Sequence, residues 1–172
     1  DKLFLELVKQ AHARGIKVVI DGVFNHSGRD FFAFRDIRIN GEKSPYVEWF
    51  TIKSFDDPST RRNELRYAGW AGFFTLPEFR NNADGTDLHP AVKKYIFDAT
   101  RRWMDPDGDG NTADGIDGWR LDVAEEVPEQ FWRDWNKLVF SINPRAITVP
   151  EVWNNAADYL KRTGFTGAMN YY

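Results

Sequence analysis

Two patterns of apolar side chains follow one another in residues 1–24. Apolar residues in 1–14 recur at helical spacing, which predicts an amphipathic helix, and Gly15 is a residue type that commonly ends one. Residues 16–24 are β-branched and apolar on both faces, a pattern typical of a parallel strand that helices cover. The chain is therefore predicted to begin with a helix followed directly by a buried strand.

The alternation of helix and strand resumes in the second half of the chain. Pro90 is predicted to open a second helix, because proline is favoured in the first helical turn. The predicted segments that follow are a strand at 116–124, a helix at 128–142, a strand at 146–153, a short helix at 156–162 and the start of another strand at 167–172. This order indicates an α/β fold with a parallel sheet and right-handed crossovers.

Between these regions, residues 28–86 have no sustained periodicity and are rich in aromatic residues, Gly, Asn and Asp. An excursion of this length within a compact domain usually forms a functional loop or a small subdomain. We therefore interpret residues 28–86 as an insertion after the first predicted strand.

Composition excludes several classes of protein. Hydrophobic residues make up 42% of the 172 positions, enough for a sizeable core. The net charge of −3 argues against a basic surface for nucleic acid, and no apolar run approaches the roughly 20 residues that would cross a membrane. The absence of cysteine excludes disulfides, thiolate zinc sites and cysteine nucleophiles, and leaves the cellular compartment open.

Charged side chains gather at the ends of the three predicted strands. The first strand is followed by Asn25 and His26 and contains Asp21, the second contains Arg120 and Asp122, and the third is followed by Glu151 and Trp153. In parallel α/β folds, functional side chains lie beyond the carboxyl ends of the strands. We therefore expect these side chains to form one site.

The residue types in this set fit a particular chemistry. Arg120 and Asp122 are two positions apart, so they point to the same face of a strand, and the arginine would keep the carboxylate ionised as a nucleophile. For Glu151, an aromatic neighbour and a nearby carboxylate predict a raised pKa, which suits a proton donor. Such a pair performs retaining glycoside hydrolysis when the two groups lie about 5–5.5 Å apart.

Taken singly, each of these residues has a structural interpretation as well. Asp122 and Glu151 could cap a helix or pair with a neighbouring arginine, and Asp21 and Asn25 could make local turn bonds. A lone histidine such as His26 is more often packed in a core than catalytic. The functional interpretation depends on all three strand ends converging.

Three segments resemble the signature regions of the α-amylase family, glycoside hydrolase family 13. They are DGVFNHSG (21–28), GWRLDVAEEV (118–127) and PEVWNN (150–155), while NHSGRDFFAF and GFFTLPEF are similar to its neopullulanase, cyclomaltodextrinase and maltogenic amylase branch. The resemblance implies that residues 1–172 are a fragment of a TIM (β/α)8 barrel, covering about strands 3 to 6. Residues 28–86 then correspond to the family's domain B.

The resemblance also implies roles for individual residues. Asp122 matches the nucleophile, Glu151 the general acid/base, and Arg120 the arginine that orients the nucleophile. Four further residues are predicted to bind the sugar substrate, with Asp21 and His26 at the cleaved glucose unit and Glu126 towards the acceptor side: Asp21, His26, Glu126 and Trp153.

The sequence departs from the family pattern in three respects. The family's third carboxylate, in an Asn-His-Asp segment, has no counterpart here, and a complete barrel takes about 250 residues. Pro150 and Asn154 stand where the family usually has glycine and histidine. We therefore expect the isolated polypeptide to be inactive and the parent enzyme to need no organic cofactor; a homodimeric parent is a further expectation.

The loop at 105–117, DPDGDGNTADGID, has the spacing of a second kind of site. Asp105, Asp107 and Asp109 reproduce the start of an EF-hand calcium loop, in which alternate carboxylates supply hard oxygen ligands. Position twelve is Ile116 rather than an acid, so Asp114 or Asp117 would have to substitute. A structural Ca²⁺ and an ordinary turn-rich loop are both compatible with this sequence.

These observations together predict a retaining glycoside hydrolase that cleaves α-glucosidic bonds in cyclodextrins, pullulan or starch-derived maltooligosaccharides. The alternatives are an α-amylase or α-glucosidase of the same family, or a non-catalytic amylase-like carbohydrate-binding protein. A binding protein has no need of both Asp122 and Glu151, which argues against the last alternative.

Overall fold

The elements of the chain alternate as the sequence predicts. The computed structural model describes residues 1–57, 59–60 and 64–171. The helices and strands are α1 Lys2–His12, β1 Val19–Gly22, α2 Phe32–Asn40, β2 Ile52–Ser54, β3 Arg66–Tyr67, α3 Pro90–Met104, β4 Gly118–Leu121, α4 Glu129–Ile142, β5 Ile147–Pro150 and α5 Ala157–Thr163. None of the helices in these ranges is long and apolar enough to cross a bilayer.

The central sheet has the parallel order β1-β4-β5. Asp21 lies beside Arg120 in the register of β1 and β4, and Arg120 lies beside Val149 of β5. Gly118 allows β4 and β5 to pair closely, because a Cβ at that position would lie 2.1 Å from the Ile147 carbonyl oxygen. The register therefore brings the carboxyl ends of three strands to one edge of the sheet.

Aromatic side chains fill the core between the sheet and the helices. Phe24, just after β1, contacts the rings of Trp119 on β4 and of Trp132 and Trp135 on α4. The indole of Trp135 donates to the Thr100 hydroxyl of α3 at 2.8 Å, so the buried nitrogen has a partner. This core packs α3 and α4 against the strands that end in charged residues.

The insertion contains regular structure that the sequence pattern did not predict. Helix α2 buries Ala33, Phe34 and Ile37, and β2 and β3 form a small antiparallel pair. The end of the insertion returns to the chain after β1, where the Phe79 N–H donates to the Asn25 carbonyl. Helix α2 has nine residues, too few for its periodicity to stand out among the surrounding aromatic and polar residues.

The strand predicted at 167–172 is wrong over the described residues 167–171, and Tyr172 lies outside the described residues. Thr166 pairs with β5 through both its backbone and its side chain, and its N–H donates to the Thr148 carbonyl at 3.1 Å. Its hydroxyl accepts the Thr148 N–H at 2.9 Å and donates to the Thr148 carbonyl at 2.9 Å. The Thr148 N–H, which a ladder would pair with a backbone carbonyl, is thereby taken by a hydroxyl, although the Met169 N–H still reaches the Pro150 carbonyl.

Candidate active site

One guanidinium group contacts three of the predicted carboxylates. Nη1 of Arg120 donates to Asp122 Oδ1 at 2.6 Å and to Asp21 Oδ1 at 2.9 Å, while Nη2 lies 2.8 Å from Glu151 Oε2. Backbone bonds extend the sheet by one residue, since the N–H groups of Asp122 and Glu151 donate to the carbonyls of Gly22 and Leu121. The strand ends therefore converge as predicted.

The charge of Arg120 is stabilised in this position. Burial by itself would lower the pKa of the guanidinium, but the bonds to Asp122 and Asp21 and the negative charge of Glu151 raise it overall. Arg120 is 26% exposed, and the side chains of Asp122 and Glu151 are 23% and 11% exposed. A permanent positive charge thus lies between two partly buried carboxylates.

Glu151 has four hydrogen-bonding or charged neighbours, and they reverse the predicted direction of its pKa. Burial raises the pKa, as expected, but donors outweigh it: the Val123 N–H reaches Oε2 at 2.9 Å, and the Trp153 indole reaches Oε1 at 3.0 Å. With the Arg120 charge and the Tyr171 hydroxyl, they lower the pKa of Glu151 below its ordinary value. The prediction of a raised pKa is therefore wrong for this structure.

His26 lies next to Asp122, and its burial favours the neutral ring. Its Nε2 is 4.0 Å from Asp122 Oδ2, and its ring stacks on Trp70 with 5.5 Å between centroids. Burial lowers the pKa of His26, while the charge of Asp122 opposes this shift. Because the Asn25 amide lies 3.3 Å from Nδ1, a neutral ring that accepts there carries its proton on Nε2, towards Asp122.

The residue after Asp122 has an unusual backbone. Val123 has φ 38° and ψ 50°, in the left-handed region that β-branched residues rarely adopt. Such a conformation costs on the order of 1–3 kcal/mol, so the surroundings must hold it in place. Strained backbone of this kind is concentrated at functional sites.

Two of the residues predicted to bind substrate line a small cleft beside Glu151. Glu126 and Trp153 share it with Val123, Glu125 and Glu151, and Trp153 is 57% exposed. Glu125 accepts the backbone N–H of Trp153 at 3.4 Å. Glu78 of the insertion lies near enough to Glu126 to be affected by its charge. Burial, followed by that charge, raises the pKa of Glu78.

Two residues of the site were missed by sequence reasoning. Met169 accepts the Nε–H of Arg120 at its sulfur at 3.2 Å, and the Tyr171 hydroxyl lies 3.3 Å from Glu151 Oε1. Both belong to the segment for which the sequence predicted only a strand. A lone Met and Tyr near the end of a chain carry no chemical pattern, so no sequence signal marked them.

The acidic loop brings together two of its three predicted ligands. Oxygens of Asp105 and Asp107 lie with one of Asp114 within 4.8 Å of one another, whereas Asp109 is outside this group and accepts the Asn111 N–H. Asp117, considered as a substitute ligand, is engaged elsewhere: it accepts from Lys17 at 2.7 Å and from His12 at 2.7 Å. Asp114 is therefore the third carboxylate of this group.

Comparison with known proteins finds matches over nearly the whole of this chain. A family model described as the catalytic domain of alpha amylase matches residues 1–172. Neopullulanase 2 of Thermoactinomyces vulgaris is 43% identical over 169 residues, which are 98% of this chain and 26% of that protein. A cyclomaltodextrinase of Thermoanaerobacter pseudethanolicus is 39% identical over 167 residues, 96% of this chain and 26% of that protein.

The fold comparison gives the same result. The solved structure of the debranching enzyme of Nostoc punctiforme matches with a TM-score of 0.80 and 43% identity, over 99% of this chain and 32% of that one. The predicted α/β fold with part of a TIM barrel is thereby confirmed. The chain spans about a quarter of the length of the curated relatives it matches. Because the catalytic-domain model matches all 172 residues, the chain belongs to the α-amylase family.

Proposed function

We propose that this chain carries the nucleophile and the general acid/base of a retaining α-glucan hydrolase. The observation that supports it most strongly is that Arg120 contacts Asp122 and Glu151 at the same time. The relatives are named for hydrolysis of pullulan and cyclomaltodextrins, so cyclodextrins, pullulan and maltooligosaccharides are the proposed substrates.

In the proposed first step, Glu151 protonates the glycosidic oxygen while Asp122 attacks the anomeric carbon. The bond to the leaving sugar breaks, and a glycosyl-enzyme ester forms on Asp122. Arg120 holds Asp122 in place through its hydrogen bond, and a neutral His26 can donate from Nε2 to the sugar bound beside it. Asp21, which shares the same guanidinium, would help to orient that sugar.

In the second step Glu151 works as a base. Its carboxylate takes a proton from water, or from a sugar hydroxyl in transglycosylation, and the ester on Asp122 is cleaved. The donors around Glu151 favour its ionised form, which suits this step. The first step needs the protonated form, so activity should decrease as the pH rises through the pKa of Glu151.

The stereochemistry of the product tests the proposal. Proton NMR of fresh digests of maltooligosaccharides would show the anomer released before mutarotation. Two displacements at one carbon return the α-anomer, which is the expected result. Early release of the β-anomer would contradict the proposed nucleophile, and absence of any cleavage by the complete polypeptide would favour a binding protein.

We further propose that residues 1–172 are the central part of a longer catalytic barrel, with residues 28–86 as its domain B. In the described ranges β1 and β5 each have one neighbouring strand, and the apolar side chains of Val19 and Ile147 on them are 42% and 39% exposed. Further strands of a barrel would cover these edges. The isolated 172-residue polypeptide is therefore expected to be inactive, so the experiments use the complete polypeptide that contains it.

Replacing Trp153 tests the control of Glu151. The indole N–H bond favours ionised Glu151, so Trp153→Phe should raise the pKa of Glu151 and move the alkaline limb of kcat/KM to higher pH. Trp49, whose ring packs on Tyr46 in the insertion, gives the control: Trp49→Phe should leave the alkaline limb unchanged. A limb that is unchanged or moves to lower pH in Trp153→Phe would refute this effect.

We also propose that Asp105, Asp107 and Asp114 hold a structural Ca²⁺. Carboxylate oxygens are the ligands Ca²⁺ prefers, and among the described residues no donor lies within hydrogen-bond distance of the buried Asp114 Oδ1. Burial, together with the charges of Asp107, Asp109 and Asp105, raises the pKa of Asp114. A cation would relieve this repulsion and fix the loop that leads into β4.

The calcium proposal predicts a change in thermal stability. At free Ca²⁺ about 100-fold above its Kd, the complete polypeptide should gain about 2.7 kcal/mol over the protein in EDTA. Asp114→Ala should remove most of this gain, whereas Asp109→Ala, outside the group, should keep it. Equal melting temperatures of the unchanged protein in Ca²⁺ and EDTA would contradict the proposal.

A further inference from the structure

Two buried donors from outside the sheet converge on one backbone oxygen next to the site. The Trp132 indole N–H of α4 and the Tyr159 hydroxyl of α5 both donate to the Ala124 carbonyl, each at 2.8 Å. Trp132 is fully buried and Tyr159 is 8% exposed. Burial, followed by the charges of Glu129 and Glu125, raises the pKa of Tyr159, so its hydroxyl stays protonated and donates.

This oxygen lies immediately after the strained residue of the site. Val123 separates Asp122 from Ala124 and has the left-handed backbone described above. Its N–H donates to Glu151 Oε2 at 2.9 Å, and the Ala124 N–H donates to the Glu151 carbonyl at 3.3 Å. Fixing Ala124 therefore fixes one side of the backbone segment that contacts Glu151.

We infer that Tyr159 is a positioning residue for the general acid/base: by holding the Ala124 carbonyl, it keeps Val123 in the conformation that aims its N–H at Glu151. The inference rests on the proposed function of Glu151. Trp132 holds the same oxygen but also fills the core, where it packs on Phe131 and Phe165. Tyr159 can lose its hydroxyl with little change in shape, so its effect on Val123 can be tested more cleanly.

Loss of the Tyr159 hydroxyl should change the pH dependence of activity through Val123. The Val123 N–H bond lowers the pKa of Glu151, because it stabilises the carboxylate. Loosening Val123 weakens that bond and lets the pKa rise. Since Glu151 must be protonated to act as the acid, the alkaline limb of kcat/KM should then move to higher pH.

The test compares two variants of the complete polypeptide. Tyr159→Phe removes the hydroxyl and should move the alkaline limb upward by roughly half a pH unit, with a decrease in kcat larger than any increase in KM. Thr100→Val is the matched control, since it removes another buried bond, from the Trp135 indole, without touching Ala124 or Glu151. It should lower the melting temperature and leave the limb unchanged.

The outcomes separate the two proposals. The positioning role is overturned if Tyr159→Phe is destabilised like Thr100→Val but its alkaline limb does not move. Its crystal structure would then still show the bond from the Val123 N–H to Glu151. If Tyr159→Phe does not fold, Trp132→Phe removes the other donor to the same oxygen and must move the limb in the same direction. Retained hydrolysis in Asp122→Asn would instead overturn the proposed function itself.

Discussion

Asp122→Asn is expected to abolish hydrolysis of maltooligosaccharides, with kcat/KM falling on the order of 10⁴-fold or more. An amide is too weak a nucleophile to form the glycosyl-enzyme ester on which the proposed mechanism depends. The amide oxygen can still accept from Arg120, whose Nη1 lies 2.6 Å from Asp122 Oδ1. Stability should therefore change by no more than about 1 kcal/mol, which a thermal melt of the complete polypeptide would show.

Glu151→Gln is the matched control for this loss. A maltosyl fluoride has a leaving group that needs little protonation, so Glu151→Gln should still form the glycosyl-enzyme from it while failing on natural oligosaccharides. Asp122→Asn should fail on both substrates. Mass spectrometry would detect the trapped ester, and its formation in Asp122→Asn would mean that another residue is the nucleophile.

Gly118→Ala is expected to have the largest effect on stability, of about 3 kcal/mol or more. The added Cβ would lie 2.1 Å from the Ile147 carbonyl oxygen and 2.9 Å from its carbon, and both atoms belong to the backbone of β5. Relief requires β4 and β5 to move apart. This movement would also separate Arg120 from Glu151, so activity should decrease together with stability.

Gly167→Ala is the control for the glycine prediction. A Cβ at Gly167 has no neighbour within 4 Å among the described residues, so the change should alter stability by no more than about 0.5 kcal/mol. Urea denaturation of both variants and of the unchanged protein would measure the difference. Similar midpoints for Gly118→Ala and the unchanged protein would show that the strands can pair without glycine.

The longest elements follow from local patterns. Helices α3 and α4 run over 15 and 14 residues, close to the segments predicted, because one apolar stripe repeats over several turns. The strands are predicted near their observed positions because they are short β-branched runs between those helices. Helix α2 was not predicted because it is too short for a clear periodicity. The strand predicted at 167–172 is absent over the described residues 167–171 because side-chain bonds decide how the chain meets β5 there.

The sequence by itself determined the order of the helices and of the parallel strands outside the insertion, the membership of the carboxylate set and the arginine that accompanies it, because residue type and spacing encode these directly. Only the tertiary structure decided how the set behaves. The pKa of Glu151 is lowered by donors from Val123, Trp153 and Tyr171, which belong to separate segments of the chain. The direction of that shift is a balance between burial and hydrogen bonds, and both exist only once the chain has folded.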